Sequence, residues 1–238
     1  MRSIENVSGF SRLKTFVVDN ASSDGSADYV RERYPWAQVL KNQENIGFGR
    51  AHNQIIRNVH SRYHIVVNPD VCLMKNTVED AAAYMDAHAD AVVLTPFVLN
   101  PDGTQQFLPK RNPTFLYLIG SLLEKRFAFG RKLRDEYVRK NEEITEPTDV
   151  EFCTGAFLFA RTSALHQVGG FDERYYLHFE DADLTRELRK VGRAVYHPGI
   201  RIVHKWNREN RKSLRSFGMA LRSMFLYWQK WHGKSGNP

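Results

Sequence analysis

Short runs of β-branched and aromatic residues alternate with helical segments along the first part of the chain. The runs predict strands at residues 15–18, 37–41, 63–67 and 91–94, and the segments between them predict helices at 26–33, near 48–58 and at 77–88. Such a rhythm favours strands joined by crossover helices. The chain is therefore predicted to have an α/β fold with a mainly parallel central sheet flanked by helices.

The pattern changes in the second half of the chain. Residues 101–147 mix charged residues with a short apolar run and predict an inserted, partly helical flap. Strand character returns at 151–160, and a helix at 181–191 and short strands at 194–196 and 200–203 are predicted after it. Residues 1–205 are thus read as one domain with an insertion, and 206–238 as a basic amphipathic carboxyl-terminal helix.

Two interpretations of that last helix remain open. Its apolar positions recur at helical spacing over residues 213–231, and basic residues flank them. This combination suits a membrane interface, where the apolar side enters the lipid and the cations meet anionic headgroups. It equally suits a terminal helix packed on its own domain.

The charge and cysteine content limit the classes of partner and compartment. A formal net charge of +7 favours an anionic partner, either a phosphate-bearing substrate, an acidic lipid or a nucleic acid. Cys72 and Cys153 form no CxxC pair, which argues against a disulfide framework or a thiolate zinc site. With no signal peptide and no apolar run near the about 20 residues of a spanning helix, the chain is predicted to be cytoplasmic.

Acidic residues follow several predicted strands at the point where each strand ends. They are Asp19 with Asp24, Asp70, and the group Glu180, Asp181 and Asp183, and His204 has a similar position. Each site alone has a structural explanation, because turns use polar residues and helix starts favour acids. Together they predict a common cleft whose chemistry involves a metal and phosphate rather than a nucleophilic hydrolase.

Glycines mark two places where a ligand could approach the backbone. Gly47 and Gly49 precede a predicted helix, so they either admit a phosphate or sugar or shape a turn. Gly155 lies inside a predicted strand and indicates a bulge or a close approach by ligand.

In this order, these motifs resemble the family 2 glycosyltransferases of GT-A fold, particularly the rhamnosyltransferase-like members that build bacterial surface polysaccharides. The resemblance covers roughly residues 15 to 205. It rests on VVDNASSDGS at 17–26, NIGFG at 45–49 with Asn53, NPD at 68–70, TGA at 154–156, GGFD at 169–172, EDAD at 180–183 and His204.

The resemblance implies a role for each matching residue. Asp181 corresponds to the general base, and Asp70 and His204 to contacts of a Mg²⁺ or Mn²⁺ ion, with Asn68 in place of the first acid of the family's Asp-x-Asp motif. The implied substrate-binding residues are Asp19, Asn45, Gly47, Asn53, Gly155, Glu180 and the basic Arg208.

The function implied by the resemblance is inverting transfer of rhamnose or another hexose. The donor would be a dTDP- or UDP-sugar, and the acceptor a lipid-linked saccharide at the inner face of the plasma membrane, where an anionic surface attracts the basic helix. Nucleic acid is not expected, because the cations cluster at the tail without a recognised reading motif. The alternative is a truncated, non-catalytic sugar-nucleotide-binding or scaffold protein.

Members of the family begin with a hydrophobic strand that supplies part of the base pocket. In this sequence the strand at 15–19 corresponds to the family's second strand, and residues 3–10 to the tail of its first helix. The hypothesis from the sequence is that Met1 is an internal or misassigned start, or that the gene is truncated.

Overall fold

The computed structural model describes residues 1–8, 10–206 and 214–232, without the side chains of 214–217. Its helices are α1 (Arg2–Glu5), a 3₁₀ turn (Phe10–Arg12), α2 (Ser26–Arg33), α3 (Phe48–Ile56), α4 (Thr77–Ala87), α5 (Phe115–Leu123), α6 (Ala128–Tyr137), α7 (Thr162–Val168), α8 (Glu180–Leu188) and α9 (Leu214–His232). Its strands are β1 (Thr15–Asp19), β2 (Ala37–Lys41), β3 (Tyr63–Val67), β4 (Val71–Leu73), β5 (Ala91–Leu99), β6 (Gln105–Gln106), β7 (Thr148–Asp149), β8 (Phe157–Arg161) and β9 (Arg193–His204).

The described strands form two sheets. The larger has the order β3-β8-β5-β9-β4, with β6 beside β5 and β7 beside β9, whereas β1 and β2 pair in a separate two-stranded sheet. Side chains of β8 alternate between two buried clusters: Phe157 and Phe159 pack with Met85 of α4, and Leu158 and Ala160 pack with residues of α3, α7 and α8. Because full burial of one such phenylalanine contributes about 2–3 kcal/mol, this alternation fixes the register of the central strand. Helices on both faces confirm the predicted α/β arrangement.

Strand direction differs from the predicted mainly parallel sheet. The pairs β1–β2 and β5–β9 are parallel, but β3–β8, β5–β8, β4–β9, β5–β6 and β7–β9 are antiparallel. The reason is that β8 enters between β3 and β5 after the long segment 100–156, rather than through a simple crossover helix. In addition, the turn at residues 68–70 reverses the chain, so that β4 runs back along β9.

Two predicted strands have different bounds in the structure. The strand expected at 151–160 is confined to β8, because residues 154–157 form a turn in which the Phe157 N–H bonds the Thr154 carbonyl. The two short strands expected at 194–196 and 200–203 are one strand, β9, whose pairing with β5 shifts register beside Pro96. The interruption at Pro198–Gly199 is thus a local irregularity within a continuous strand.

Helices α5 and α6 form a close-packed hairpin within the segment predicted to be a partly helical flap. A Cβ built at Gly120 would lie 2.5 Å from Leu133 Cβ, and one built at Gly130 would lie 2.6 Å from the Leu123 carbonyl carbon. Glycine at both positions lets the two helix backbones approach closely. The hairpin therefore presents the other side of α5 in a fixed orientation.

Helix α9 packs one face on the domain. Ser223 Oγ donates to the Leu177 carbonyl at 2.8 Å, and Tyr227 is buried. Leu221, Phe225 and Trp228 remain exposed on the same helix. The packing agrees with the second interpretation of this helix, while the exposed apolar side keeps the first one open. Of the helices described, none is sufficiently long and apolar to cross a membrane.

Candidate active site

The end of β1 carries a buried carboxylate with one oxygen that the protein leaves without a partner. Asp19 Oδ1 accepts from the Ser22 N–H at 3.1 Å, whereas Oδ2 is buried and has no hydrogen-bond partner in the described part of the chain. A buried acceptor without a partner costs free energy in the absence of a donor. Asp19 can therefore receive an N–H or O–H group from a ligand.

The adjacent Asn20 ties this strand end to the loop before α3. Its amide nitrogen donates to Asn45 Oδ1 at 3.0 Å and to the Gly47 carbonyl at 3.2 Å, and its Oδ1 accepts from the Ile46 N–H at 3.1 Å. The Asn45 side chain also accepts from the Gly47 N–H at 3.0 Å. Two of the predicted donor-binding residues, Asn45 and Gly47, thus lie in one loop next to Asp19.

Gly47 has a conformation and a contact that require glycine. Its φ is +90°, and a Cβ at this position would lie 2.7 Å from the Tyr176 carbonyl oxygen. The next residue, Phe48, donates its N–H to the same carbonyl at 3.2 Å. The loop before α3 therefore rests directly on the segment that leads into α8.

Asn53, predicted to bind substrate, has an amide engaged within the protein. The Phe171 N–H donates to its Oδ1 at 2.9 Å, and its nitrogen donates to the Phe171 carbonyl at 2.8 Å and to Glu173 Oε1 at 3.0 Å. These bonds hold α3 against residues 170–173. Direct contact between Asn53 and a substrate stays a prediction.

Asp70 and His204 meet at the turn between β3 and β4. His204 Nε2 lies 3.3 Å from Asp70 Oδ1, and Nδ1 lies 3.1 Å from Gln106 Oε1. The Gln106 nitrogen donates to the His204 carbonyl at 2.6 Å and to Asn100 Oδ1 at 2.7 Å. Those two bonds orient the amide so that its oxygen faces the imidazole ring, which places the ring hydrogen on Nδ1.

This orientation has an electrostatic consequence. Burial lowers the pKa of His204, although the Asp70 carboxylate acts in the opposite direction, so the neutral ring is favoured. With its hydrogen on Nδ1, the ring presents the Nε2 lone pair to a carboxylate oxygen. Two facing acceptors need a cation or a proton between them, and imidazole and carboxylate are both ligands of divalent metals.

The described residues contain no group of three or more His, Cys, Asp or Glu side chains suited to a metal ion. Asp70 and His204 thus lie together without a third such side chain among the described residues, and their role as metal ligands stays a prediction. A metal at this pair would need oxygen ligands from a substrate or water to complete its coordination.

Asp181 stands at the start of α8 with both carboxylate oxygens held. The Gly155 N–H donates to Oδ2 and the Ala182 N–H to Oδ1, each at 2.9 Å. The chain beyond Gly155 continues directly to Ala156, whose carbonyl accepts from the Asn68 N–H at 3.0 Å. Asp181 is thereby connected through two residues to the turn that carries Asp70.

Gly155 also joins the two halves of the predicted cleft. A Cβ at this position would lie 3.4 Å from Asp181 Cβ and 3.4 Å from the Phe48 ring. Phe48 follows Gly47, and Gly47 contacts Asn20 beside Asp19. Through these contacts the structure connects Asp19, Asp70 and Asp181, whereas Asp24, within the described part of the chain, bonds only to Ser26 in its own turn. Arg208, the remaining predicted contact, lies outside the described residues.

Glu180 differs from its neighbour in ionisation. It is buried, and its Oε2 has no hydrogen-bond partner within the described residues. Burial, and next the charge of Asp181, raise the pKa of Glu180 to about 8. The uncharged form of Glu180 is therefore favoured at neutral pH.

Replacement of Glu180 by glutamine should flatten the pH dependence of stability. The pKa of Glu180 is raised on folding, so the folded state binds more protons than the unfolded state, and stability falls as the pH rises from about 4.5 to about 8. Glutamine is uncharged throughout, and Glu180→Gln should therefore unfold at a higher temperature than the wild type above pH 8. Thermal midpoints measured from pH 5 to pH 9, in steps of about one unit, provide the test.

Glu187→Gln is the matched control on the same helix. The pKa of Glu187 is lowered by its bonds to Lys190 and Lys230 in spite of its partial burial, so its stabilising effect is lost at acidic pH. The control should keep the neutral-to-alkaline slope of the wild type. A Glu180→Gln variant with that same slope would contradict the assigned ionisation.

Asp183, the last acid of this stretch, points away from the site toward α9. It is 1% exposed on its side chain and accepts from Lys230 Nζ at 2.8 Å and from Trp231 Nε1 at 2.7 Å. Arg186 lies over the Trp231 ring at 4.3 Å from its centre. These contacts therefore hold α9 against α8, and the first turn of α8 carries Asp181.

Sequence reasoning did not identify several residues that organise this site. Asn20 and Gln106 orient other site residues, Thr185 bonds both Cys153 and the Asp181 carbonyl, and Lys230 holds Asp183. Asn20 had a local signal in the Asp-Asn pair at the strand end. Gln106 and Lys230 had none, since their partners lie 98 and 47 residues away.

The fold is shared with solved glycosyltransferases of GT-A type. A mannosyltransferase from Pyrobaculum calidifontis, solved in complex with GDP-Man and Mn²⁺, superposes with a TM-score of 0.64 at 16% identity, covering 100% of this chain and 60% of that chain. The predicted GT-A fold is confirmed by this likeness.

The model of glycosyl transferase family 2 matches residues 2–169, and the chain belongs to that family. It is 28% identical over 208 residues to the N-acetylglucosaminyl-diphospho-decaprenol L-rhamnosyltransferase of Mycobacterium tuberculosis, covering 81% of this chain and 66% of that protein. It is 26% identical over 191 residues to rhamnosyltransferase WbbL of Escherichia coli K12, covering 76% and 69%. Within the family the chain is thus rhamnosyltransferase-like, and it spans about two thirds of these relatives.

Proposed function

We propose that this protein transfers a sugar, with inversion, from a nucleotide-diphosphate donor to a lipid-linked saccharide in the synthesis of bacterial surface polysaccharide. The observation that carries the proposal is the Asp181 carboxylate, which two backbone N–H groups fix in place and which residues 155 and 156 connect to the turn bearing Asp70. The sugar is rhamnose or another hexose, in keeping with the names of the two relatives.

The donor's base binds at the end of β1 in this proposal. Asp19 Oδ2 is a buried acceptor without a partner among the described residues, and thymine and uracil each offer an imide N–H. A dTDP- or UDP-sugar therefore supplies the hydrogen-bond donor that Asp19 Oδ2 lacks among the described residues. Asn45 and Gly47 border the same pocket and are proposed to lie against the nucleotide-sugar.

A divalent metal, Mg²⁺ or Mn²⁺, is proposed to bind Asp70 and His204. The residues fit such an ion, because an imidazole lone pair and a carboxylate oxygen face each other there. When bound, the metal supplies positive charge that offsets the charge developing on the leaving diphosphate. Gln106 holds the imidazole ring in the tautomer that this role needs.

Asp181 acts as the general base. Its carboxylate takes the proton of an acceptor hydroxyl while that oxygen bonds to the anomeric carbon from the face opposite the diphosphate. The bond between the anomeric carbon and the diphosphate oxygen breaks in the same step, and the nucleoside diphosphate leaves. Glu180 is proposed to line the substrate side. Because its uncharged form is favoured at neutral pH, it would not add its own negative charge to the site.

The protein is proposed to work in the cytoplasm, peripherally on the inner face of the plasma membrane. The tip of the α5–α6 hairpin exposes Leu122, Phe127 and Phe129. Lys125, Arg126, Arg131 and Lys132 are exposed around these apolar residues. Each cation near an anionic surface contributes about 1 kcal/mol of attraction, so this tip and α9 suit contact with acidic lipid.

The experiment is an assay of product and leaving group together. Protein with Mn²⁺, dTDP-rhamnose and an N-acetylglucosaminyl-diphospho-lipid should release nucleoside diphosphate only when acceptor is present, and chelation of the metal should suppress that release. Other nucleotide-sugars would be compared in the same assay. Chromatography of the lipid product and of the nucleotide provides two independent readouts.

The second candidate is a sugar-nucleotide-binding or scaffold protein without turnover. The observation that favours it is the separate two-stranded sheet, since β1 with Asp19 is not paired to the seven-stranded sheet in the described structure. Donor binding in a calorimeter without any acceptor-dependent nucleotide release, across the nucleotide-sugars tested, would establish this candidate and reject the first.

A further inference from the structure

An apolar groove lies between α5 and α9, outside the residues assigned to the donor. It encloses a cavity of about 250 Å³, and its lining includes Phe115, Leu118, Phe179, Met224, Tyr227 and Trp228. The Phe115 and Trp228 rings stack across it with their centres 5.2 Å apart and their planes at 20°. An apolar cavity of this kind is suited to a hydrocarbon ligand rather than to a nucleotide or a saccharide.

Both walls of the groove are held in place. On one side, Gly120 and Gly130 allow α5 to pack closely on α6. On the other side, Lys230 and Trp231 fasten α9 to Asp183. The apolar side chains are therefore presented by fixed helices, and the groove does not need to form at the moment of binding.

The groove adjoins two parts of the fold with different surroundings. Phe179, which belongs to its lining, is the residue that precedes α8, two positions before Asp181. Helix α5 begins at Phe115 in the lining and runs nine residues, or about 13 Å, to the basic tip of the hairpin, where Leu122 is 74% exposed. The lining thus includes the residue before α8 and the first turn of α5, and α5 continues to the part of the surface that suits acidic lipid.

We propose that this groove binds the apolar chain of the lipid-linked acceptor. The inference rests on the proposed function, and it identifies the part of the protein that selects the lipid. A chain lying along α5 would leave the membrane at the cationic tip and bring its diphospho-saccharide end to Asp181. A flat membrane contact alone would need only outward residues such as Leu122 and Phe225, and not the less exposed Phe179, Met224 and Tyr227.

Chain-length preference tests the proposal. Two soluble acceptors with the same diphospho-saccharide are compared, one with a methyl group and one with an isoprenoid chain of about ten carbons, and burial of the chain should lower KM by about tenfold or more. Met224→Trp, which fills the cavity, and Trp228→Ser, which removes one wall, should raise KM for the isoprenoid acceptor while KM for the methyl acceptor stays the same.

Phe225→Ser is the matched control, because Phe225 is the neighbouring residue, is 60% exposed and does not line the groove. It should keep the wild-type preference. Loss of preference in this variant to the same extent would indicate that the chain binds on the outer surface of α9 instead of in the groove. A shift from dimer to monomer in the groove variants would indicate that a second copy of the chain occupies the groove. Either result would overturn the proposal, as would a wild-type protein without chain-length preference.

A binding measurement separates this proposal from the proposed function. An isoprenyl diphosphate of about ten carbons should bind in a calorimeter more tightly than inorganic diphosphate, and Trp228→Ser should abolish the difference. Binding without turnover would retain the groove and reject the transferase. Turnover with equal binding of the two probes would retain the transferase and reject the groove. Trp228 is 42% exposed, so its replacement should be tolerated by the fold.

Discussion

Asp181→Asn is expected to lower kcat by about 10²–10⁴-fold, the range for loss of a positioned general base. Asparagine keeps an oxygen that can accept from the Gly155 N–H, so the start of α8 should retain its geometry. Donor affinity should therefore be unchanged. Steady-state kinetics with saturating acceptor gives kcat, and calorimetric titration with the donor gives the Kd.

Glu187→Gln provides the control for this change, since it makes the same replacement of charge by amide on the same helix. Glu187 pairs with Lys190 and Lys230 rather than with Gly155, and the control should turn over like the wild type. Retained turnover in Asp181→Asn would remove Asp181 from the role of base. Loss of donor binding together with turnover would assign it to the donor side instead.

Asp183→Ala is expected to lower the free energy of unfolding by about 3 kcal/mol, because it leaves a partly buried ammonium group without its closest carboxylate. Lys230 Nζ would lose a contact of 2.8 Å, and the Trp231 N–H would lose its acceptor at 2.7 Å. For a chain of this length the thermal midpoint should fall by about 6–12 °C. Calorimetry at neutral pH measures this change.

A double-mutant cycle with Lys230→Ala shows whether the effect belongs to the pair. Lys230 also contacts Asp172 and Glu187, so its replacement should be costly on its own. The double variant should nevertheless be less destabilised than the sum of the two single variants, since each has already lost the shared contact. Additive effects within about 0.5 kcal/mol would show that the pair is not coupled.

The sequence predicts well those elements whose signal is local. The bounds of α2, β2 and β3 follow from β-branched runs and turn residues next to them, and they agree with the structure. The direction of each strand has no such local signal. Nothing in the composition of β8 indicates that it inserts between β3 and β5 and runs antiparallel to both, because that depends on the path of the preceding segment.

The residues of the candidate site differ in the same way, because some have a local signal in the sequence and others do not. Asp19, Asp70 and Asp181 were identifiable, since an acid after a strand or at a helix start has a recognisable local context. The residues that orient these site side chains were not identifiable from the sequence. Gln106 fixes the ring of His204 from a two-residue strand, and Lys230 reaches Asp183 from the last described helix. Such contacts are set by tertiary packing and leave no periodic pattern in the sequence.

The contact between Lys230 and Asp183 spans 47 positions of the chain, and this separation affects the order of assembly. During synthesis α8 emerges from the ribosome well before α9, so for that interval the Asp183 carboxylate has neither its ammonium partner nor the indole N–H. An unpaired acid of this kind stays hydrated rather than buried. The turn that carries Asp181 therefore acquires its final surroundings only after α9, which is translated later than α8, has docked.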